Sequence, residues 1–389
     1  MSRIFSPEPA AAALRLNALA TGLHKHGLKV TVETTKLAAN SEKIAQDFDR
    51  KQDYVINRHR VKRGKDGYLK GYLQYMSFDI PMFFRMLLGK QPDIYVVEPP
   101  PTTGFFTALV SKIRRVPFVY YAADIWSDAA ASTAPKAVVA ALRSVEKFVL
   151  RHAQTVIAVS EEVGERTKEL GAKSVSVVLN GIDTNIFTPV FDVEKTSTAE
   201  DSNTAKYFIY AGTSSQWQGA EIFALAMEQL AQKYPEYGLV YLGQGSSADT
   251  IAQIASRLPS GIIQQLGQVP VEIAAKWQRE SIAALVSIKP GMGYDFAVPT
   301  KTFAALASGV PVIYVGVGPL RELITENNLG FIADYELSAV VNAMEEAIQK
   351  QEIWQLENQE LAVSWVRENR SIETTGTQAA GVILKELAK

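Results

Sequence analysis

The side-chain types best suited to chemistry gather in Tyr294-Asp295-Phe296-Ala297-Val298-Pro299-Thr300-Lys301, which runs directly into an apolar stretch ending at Val312. A lysine one residue inside a helix start brings together an ammonium, free first-turn amides and the positive end of the helix dipole, a combination that suits a phosphate. The helix is predicted to open here because Thr300 is an N-cap type and Pro299 ends the extended run before it. Phe303, Leu306 and Ala307 recur at helical spacing, Gly309 stands where a left-handed residue closes a helix, and 311–315 reads as a buried strand. A second phosphate-suited stretch is Gly212-Thr213-Ser214-Ser215, between a predicted strand and a predicted helix, where glycine lets an anion come close to the backbone. Lys289, after the predicted strand 283–288, is another ammonium able to neutralise charge on a departing phosphate. Elsewhere, Asp124-Ile125-Trp126 follows a strand as a polar, aromatic loop in which Asp124 either handles a hydroxyl proton or caps a turn. Thr102 and Gly104 follow Glu98-Pro99-Pro100-Pro101, where the reading is a pocket border or a rigid turn.

Composition excludes several other chemistries. The 389 residues carry 40 Lys plus Arg against 41 Asp plus Glu, so no global charge points to nucleic acid. With no cysteine there is no disulfide, thiolate nucleophile or cysteine metal site. The four histidines, His24, His26, His59 and His152, lack the i, i+4 spacing of a zinc helix, and no Asp-x-Asp pair offers itself to a divalent ion, so no metal is expected. No stretch approaches the ~18 apolar residues of a membrane span and the N-terminus lacks a signal pattern, so a cytoplasmic chain is the expectation.

The elements that must position these residues alternate. A helix at 10–26 closes at Gly27, and strands are predicted at 28–34, 54–57, 94–98, 118–121, 155–159 and 175–179, after at most a short strand at 3–5. The polar stretch 191–204 reads as a linker. Beyond it the pattern restarts, with strands at 207–211, 239–242, 262–266 and 283–288 and a helix from about Gly219. Apolar strands alternating with helices indicate parallel sheets covered on both faces, with ligands at the carboxyl ends of the strands. The expected architecture is α/β, with two doubly wound parallel-sheet domains at 1–188 and 189–371, a cleft between them, and a helix at about 372–389 packing back on the first.

In that order along nearly the whole chain come Ser6-Pro7-Glu8-Pro9 before a small-residue helix, Asn180-Gly181-Ile182-Asp183-Thr184, Gly212-Thr213, Leu242-Gly243-Gln244-Gly245, and Pro299-Thr300-Lys301 before Ala307-Ser308-Gly309-Val310-Pro311-Val312. This ordered set resembles the family 4 glycosyltransferases of the GT-B fold, built from two Rossmann-like domains. The resemblance implies transfer of a sugar from a nucleotide diphosphate sugar to an acceptor hydroxyl, with retention at the anomeric carbon and no metal cofactor. It implies catalytic roles for Asp124, Lys301 and Asp295, and donor binding by Gly212, Thr213, Ser214, Gln218, Gly243, Lys289, Pro299, Thr300 and Glu322. Pro9, Ala10, Thr102 and Trp126 fall on the acceptor side. The chain departs from the family where a lysine is common, having Trp217-Gln218-Gly219, and where two glutamates eight residues apart are common, having Phe296 and Ala304. Asp295 is the expected stand-in for the first glutamate, and Glu322 the nearest carboxylate for a ribose. Absence of both glutamates keeps a second reading open, a GT-B scaffold that binds nucleotide sugars without turnover; an epimerase on the same fold would want more acids and histidines.

Between 50 and 70 stand eight basic residues (Arg50, Lys51, Arg58, Arg60, Lys62, Arg63, Lys65, Lys70) against two acids. Aromatic and aliphatic residues then run to Leu88. Two readings remain: a solvated strand and loop before a core helix, or a surface at 50–88 lying on an anionic membrane to reach a lipid-linked acceptor, peripheral to the inner face of the plasma membrane.

Overall fold

The computed structural model describes residues 1–8, 10–38, 41–64, 71–132, 134–189 and 206–389. They form two compact units, Met1–Gly181 with Ile372–Lys389, and Ile182–Ser371. The predicted linker 191–204 and Pro9 lie outside the described residues.

The first unit holds β1 (Thr31–Thr35), β2 (Val55–His59), β3 (Tyr95–Val97), β4 (Phe118–Ala122), β5 (Thr155–Ala158) and β6 (Val175–Val177). β1 pairs with β2, and the others form a sheet in the order β3-β4-β5-β6, every pairing parallel. β4 and β5 are buried at every position, as strands covered on both faces must be. The segment at 3–5 forms no regular strand. Its neighbours instead bridge the two sheets, the Ser2 amide donating to the Glu33 carbonyl at 3.1 Å and the Glu98 amide to the Met1 carbonyl at 3.3 Å.

The helix Ile372–Leu387 belongs to this unit because glycines let it approach the helix Ala11–Lys25 backbone to backbone. A Cβ on Gly376 would lie 2.5 Å from the Ala18 carbonyl oxygen, and one on Gly22 2.8 Å from the Gly376 oxygen. The division between units falls after Gly181, earlier than the expected boundary at 188. Phe187 is buried in the second unit's core, and Ile182 donates its amide to the Arg370 carbonyl at 2.8 Å, so this stretch is already committed to the second unit.

The second unit is one parallel sheet of β7 (Lys206–Ala211), β8 (Tyr237–Leu242), β9 (Ile263–Gln265), β10 (Ala283–Ser287), β11 (Val312–Val315) and β12 (Gly330–Ala333). Its order is β12-β11-β10-β7-β8-β9. Alternation along β7 sends Phe208 and Tyr210 into one core and Tyr207 and Ile209 into the other. The chain builds outward from β7 in one direction and then restarts at β10 on its other side. A sheet opens a crevice at the carboxyl ends of its strands at such a reversal, here between β7 and β10.

The basic stretch is only partly turned inward. Lys65 and Lys70 are outside the described residues. Arg58 grips Asp49 through two 2.8 Å bonds and also donates to the Ser6 carbonyl at 2.5 Å. Arg63 donates to the Lys36 carbonyl at 3.0 Å and the Thr35 hydroxyl at 3.1 Å, and Arg50 pairs with Asp47. Arg58 and Arg63 thus help hold the loops at the ends of β1 and β2, while Arg50, Lys51, Arg60 and Lys62 remain exposed.

Gly376→Ala should destabilise the first unit by about 1–3 kcal/mol, because the added methyl meets a carbonyl of the facing helix rather than a movable side chain. Thermal unfolding together with proteolysis of the C-terminal helix measures this, and a variant as stable and as resistant as wild type would show that the helix does not need this contact.

Candidate functional site

The crevice between β7 and β10 is a pocket of about 330 Å³, lined by Ala211, Gly212, Thr213, Trp217, Gln218, Ala297, Val298, Pro299, Thr300 and Lys301. Both predicted phosphate stretches therefore meet in space. Two glycine turns build its floor. Gly212, at φ 130°, donates its amide to the Leu242 carbonyl, and Gly243, at φ 124°, lies so close that a Cβ there would be 2.2 Å from the Gly212 oxygen. Only glycine fits at 243, so its part is to let the turn after β8 support the turn after β7. Ser214, almost fully buried, continues this support, its amide bonded to the Gln244 carbonyl and its own carbonyl to the Ser247 amide. Gln218 holds the loop from within, its Oε1 accepting from the Ser215 amide at 3.0 Å.

Lys301 opens the helix Lys301–Ala307, as predicted, and the rest of that helix is buried. Its ammonium lies 3.8 Å from the centre of the Tyr210 ring and donates to the Thr213 carbonyl at 3.3 Å. The path exists because residue 212 has no side chain: a Cβ there would sit 3.2 Å from Lys301 Cε. None of the lining residues is acidic. Burial pushes the Lys301 amine down to about 7, and the cation–π contact, worth about 0.5–2 kcal/mol, offsets only part of that cost. A cation held without a counterion is a site for an anion. Thr300 corrects the expected cap: its backbone is already helical and its side chain makes no capping bond. The first turn is closed instead by the Pro299 and Thr300 carbonyls, which accept from Thr302 and Phe303. The exposed Thr300 side chain thus lines the pocket.

The loop after β10 forms the pocket's rim. The Asp295 carboxylate accepts from the Gly291 amide at 3.1 and 3.2 Å, so in the free protein it closes its own loop. The Asp295 carbonyl rests where a Cβ on Gly318 would be. Trp217 and Tyr294 stack at 4.4 Å with 24° between planes, and Tyr294 and Phe296 are exposed. The Lys289 amide donates to the Trp217 carbonyl at 2.9 Å, but its side chain is not among those lining the pocket, nor is that of Glu322, which is exposed on the helix Pro319–Glu326. Sequence reasoning missed Tyr210, whose ring seats the ammonium, and the Trp217–Tyr294 pair. Neither has a motif signal, since each arises from strands and loops distant in sequence.

In the first unit Asp124 is exposed between β4 and the helix Trp126–Ala129. That short helix is fixed by Glu146, 1% exposed, whose carboxylate accepts from the Trp126 amide at 2.9 Å and the Ser127 amide at 3.1 Å. Trp126 is half-buried, its ring edge-on to Tyr75 at 6.1 Å. Thr102 is less free than a pocket-border reading supposes: its hydroxyl accepts from Arg3 at 2.8 Å and donates to Asp79 at 2.7 Å. Gly104 lets the helix Pro101–Arg114 pack on Tyr120 and Val149. Ala10 is half-buried just before the helix Ala11–Lys25.

Two parallel-sheet units, one with a cationic crevice at a reversal of strand order, are the components of the GT-B fold. Residues 11–181 match the glycosyl transferase 4-like domain and residues 205–350 the glycosyl transferases group 1. The chain belongs to these family 4-like glycosyltransferases. Lipopolysaccharide core biosynthesis mannosyltransferase LpsB of Rhizobium meliloti (strain 1021) is 28% identical over 206 residues, 51% of this chain and 56% of that protein, so the match spans little more than half the relative's length. Among solved structures, Anabaena Alr3699/HepE in complex with UDP and glucose is 18% identical with a TM-score of 0.65, covering 98% of both chains. Sucrose-phosphate synthase from Thermosynechococcus elongatus is 16% identical with a TM-score of 0.63, covering 97% of this chain and 94% of that one. These likenesses carry the fold.

The Lys301 amine, lowered to about 7 by burial, regains its proton when an anion enters. Above about pH 7 the pocket must therefore take up a proton to bind a diphosphate, whose own terminal ionisation is already complete. Affinity should fall by up to about tenfold per pH unit above that value, and Lys301→Arg, which stays charged, should flatten the profile. Calorimetry in buffers of different ionisation heat reads the proton directly, and affinity independent of pH with no proton uptake would contradict the assignment.

Proposed function

We propose that this protein is a retaining glycosyltransferase that moves a sugar from a nucleotide diphosphate sugar to an acceptor hydroxyl in the synthesis of a cell-envelope polysaccharide, glycolipid or related glycan. The observation that carries the proposal is the Lys301 ammonium, set against the Gly212 turn in a pocket whose lining holds no carboxylate among the described residues. Family membership, the mannosyltransferase relative and the UDP complex of a neighbour support it.

In this reading the acceptor oxygen bonds to the anomeric carbon as the bond from that carbon to the β-phosphate oxygen breaks, and the electron pair passes to the diphosphate. Lys301, with the hydroxyls of Thr213 and Thr300 that line the same pocket, stabilises that charge, the kind of preorganised electrostatics that dominates such reactions. Asp124 orients the acceptor hydroxyl and receives or relays its proton. Asp295 exchanges its bond to the Gly291 amide for the sugar's hydroxyls. The charge on the leaving group is met by protein groups, so no metal is assigned. The acceptor is a sugar, free or lipid-linked, and the protein works in the cytoplasm with peripheral contact to the inner face of the plasma membrane. The second reading, a nucleotide-sugar-binding scaffold without turnover, draws on the exposed Phe296 and buried Ala304 where the family often has carboxylates.

Lys301→Ala should weaken nucleotide diphosphate binding by about tenfold to a hundredfold, the loss of one charge-assisted contact, and leave nucleoside binding unchanged. Equal diphosphate affinity in variant and wild type would remove Lys301 from the site. Sugar transfer should continue undiminished in excess chelator, and activity abolished by chelator and restored by magnesium or manganese would overturn the metal-free mechanism. Tight donor binding with no transfer to any acceptor would favour the scaffold.

A further inference from the structure

We propose that the outer face of the helix Tyr72–Leu88 is a docking surface for an anionic lipid bilayer. This helix is apolar on two sides. Its inner side is fully accounted for, since Phe78, Met82 and Met86 are buried in the first unit's core and Asp79, 1% exposed, is paired with Arg3 at 2.7 Å. Arg3 also donates to Thr102 and Thr103 of the neighbouring helix Pro101–Arg114, so the rotation of Tyr72–Leu88 about its axis is fixed. With the inner side locked, Ile80, Phe84 and Leu88, spaced at i, i+4 and i+8, project outward, and Leu88 is 80% exposed. Tyr72 and Leu73 extend the stripe at one end. At the other, Arg114 donates to the Met86 and Gly89 carbonyls at 2.5 and 2.8 Å, which brings exposed Ile113 alongside.

The charge around this stripe identifies its occupant. Arg85, Lys90, Lys112 and Arg115 are exposed, whereas the acids between 71 and 115 are buried Asp79, buried Glu98 and exposed Asp93. An apolar face ringed by cations matches anionic headgroups over acyl chains, while a second copy of the same face would bring like charges together. No helix among the described residues is long and apolar enough to cross a membrane, so the contact lies in the interface plane. The apolar contact is therefore assigned to this helix; in the basic run before it Arg58 and Arg63 are engaged within the fold, and the run carries no comparable apolar stripe. The inference rests on the proposed membrane contact of the acceptor, but vesicle binding needs neither donor nor acceptor. Its failure would leave sugar transfer standing, and failure of transfer would leave the docking surface standing.

The test is flotation of the full chain with vesicles of phosphatidylcholine alone or mixed with phosphatidylglycerol. Wild type should float with the mixed vesicles at low salt and be released as the Debye length falls to about 3 Å. Phe84→Asp with Leu88→Asp should weaken flotation at least about tenfold while nucleotide diphosphate binding is kept; Leu88→Asp alone serves if the pair does not fold. Arg60→Ala, in the basic run, should float as wild type does. Wild type that stays in solution at low salt, or an apolar-face variant that floats unchanged, would overturn the proposal. So would light scattering that shows a dimer converted to monomer by Leu88→Asp, since the face would then join two copies.

Discussion

An ammonium without a counterion is the constraint around which the second unit is arranged. Gly212 leaves room beside Lys301, a Cβ there lying 3.2 Å from its Cε, and Gly212 is held there because Gly243 allows the turn after β8 to press against it. The ring of Tyr210 gives the cation a seat that is electrostatically favourable yet weaker than a carboxylate would be. A carboxylate in that place would neutralise the lysine and close the site. Leaving the charge partly desolvated costs stability, and the cost is recovered when an anion arrives.

The surrounding elements follow from that requirement. The reversal of strand order at β7 and β10 separates two loops enough to form a crevice while keeping their parent strands adjacent. One loop supplies the floor at Gly212 and Thr213 and the other supplies the helix that begins with Lys301. Asp295, bonded to the Gly291 amide, shapes the rim, and the Trp217–Tyr294 stack ties that rim to the floor. The first unit uses buried charges differently, as Arg3 with Asp79 and Glu146 with the Trp126 and Ser127 amides anchor helices whose outer faces or loops are then left exposed. Directional bonds between buried polar groups fix orientation in a way that apolar packing alone does not.

The sequence by itself determined the order of strands and helices, because apolar runs and glycine punctuation report local conformation. It placed Lys301 at a helix start and Gly309 at its left-handed end, and it marked Gly212 as a backbone position needing room. The resemblance to family 4 glycosyltransferases was also legible, since it lies in short motifs kept in order. Only the tertiary structure decided which of these residues meet. Thr300 looked like a cap and instead faces the pocket, because the Pro299 carbonyl closes the first turn. Lys289 was a second candidate ammonium and Glu322 the nearest carboxylate for a ribose, yet neither is among the residues lining the pocket. Neither the Tyr210 seat nor the Trp217–Tyr294 stack had a signal of its own, for a ring beneath an ammonium and a stacked rim are made by residues brought together from distant parts of the chain. Within the basic run at 50–63 composition reports charge but not which members find partners, since Arg50, Lys51, Arg60 and Lys62 stay exposed while Arg58 and Arg63 turn inward. Asp49, Ser6 and Thr35 take up that charge only once the fold has brought them within hydrogen-bond distance.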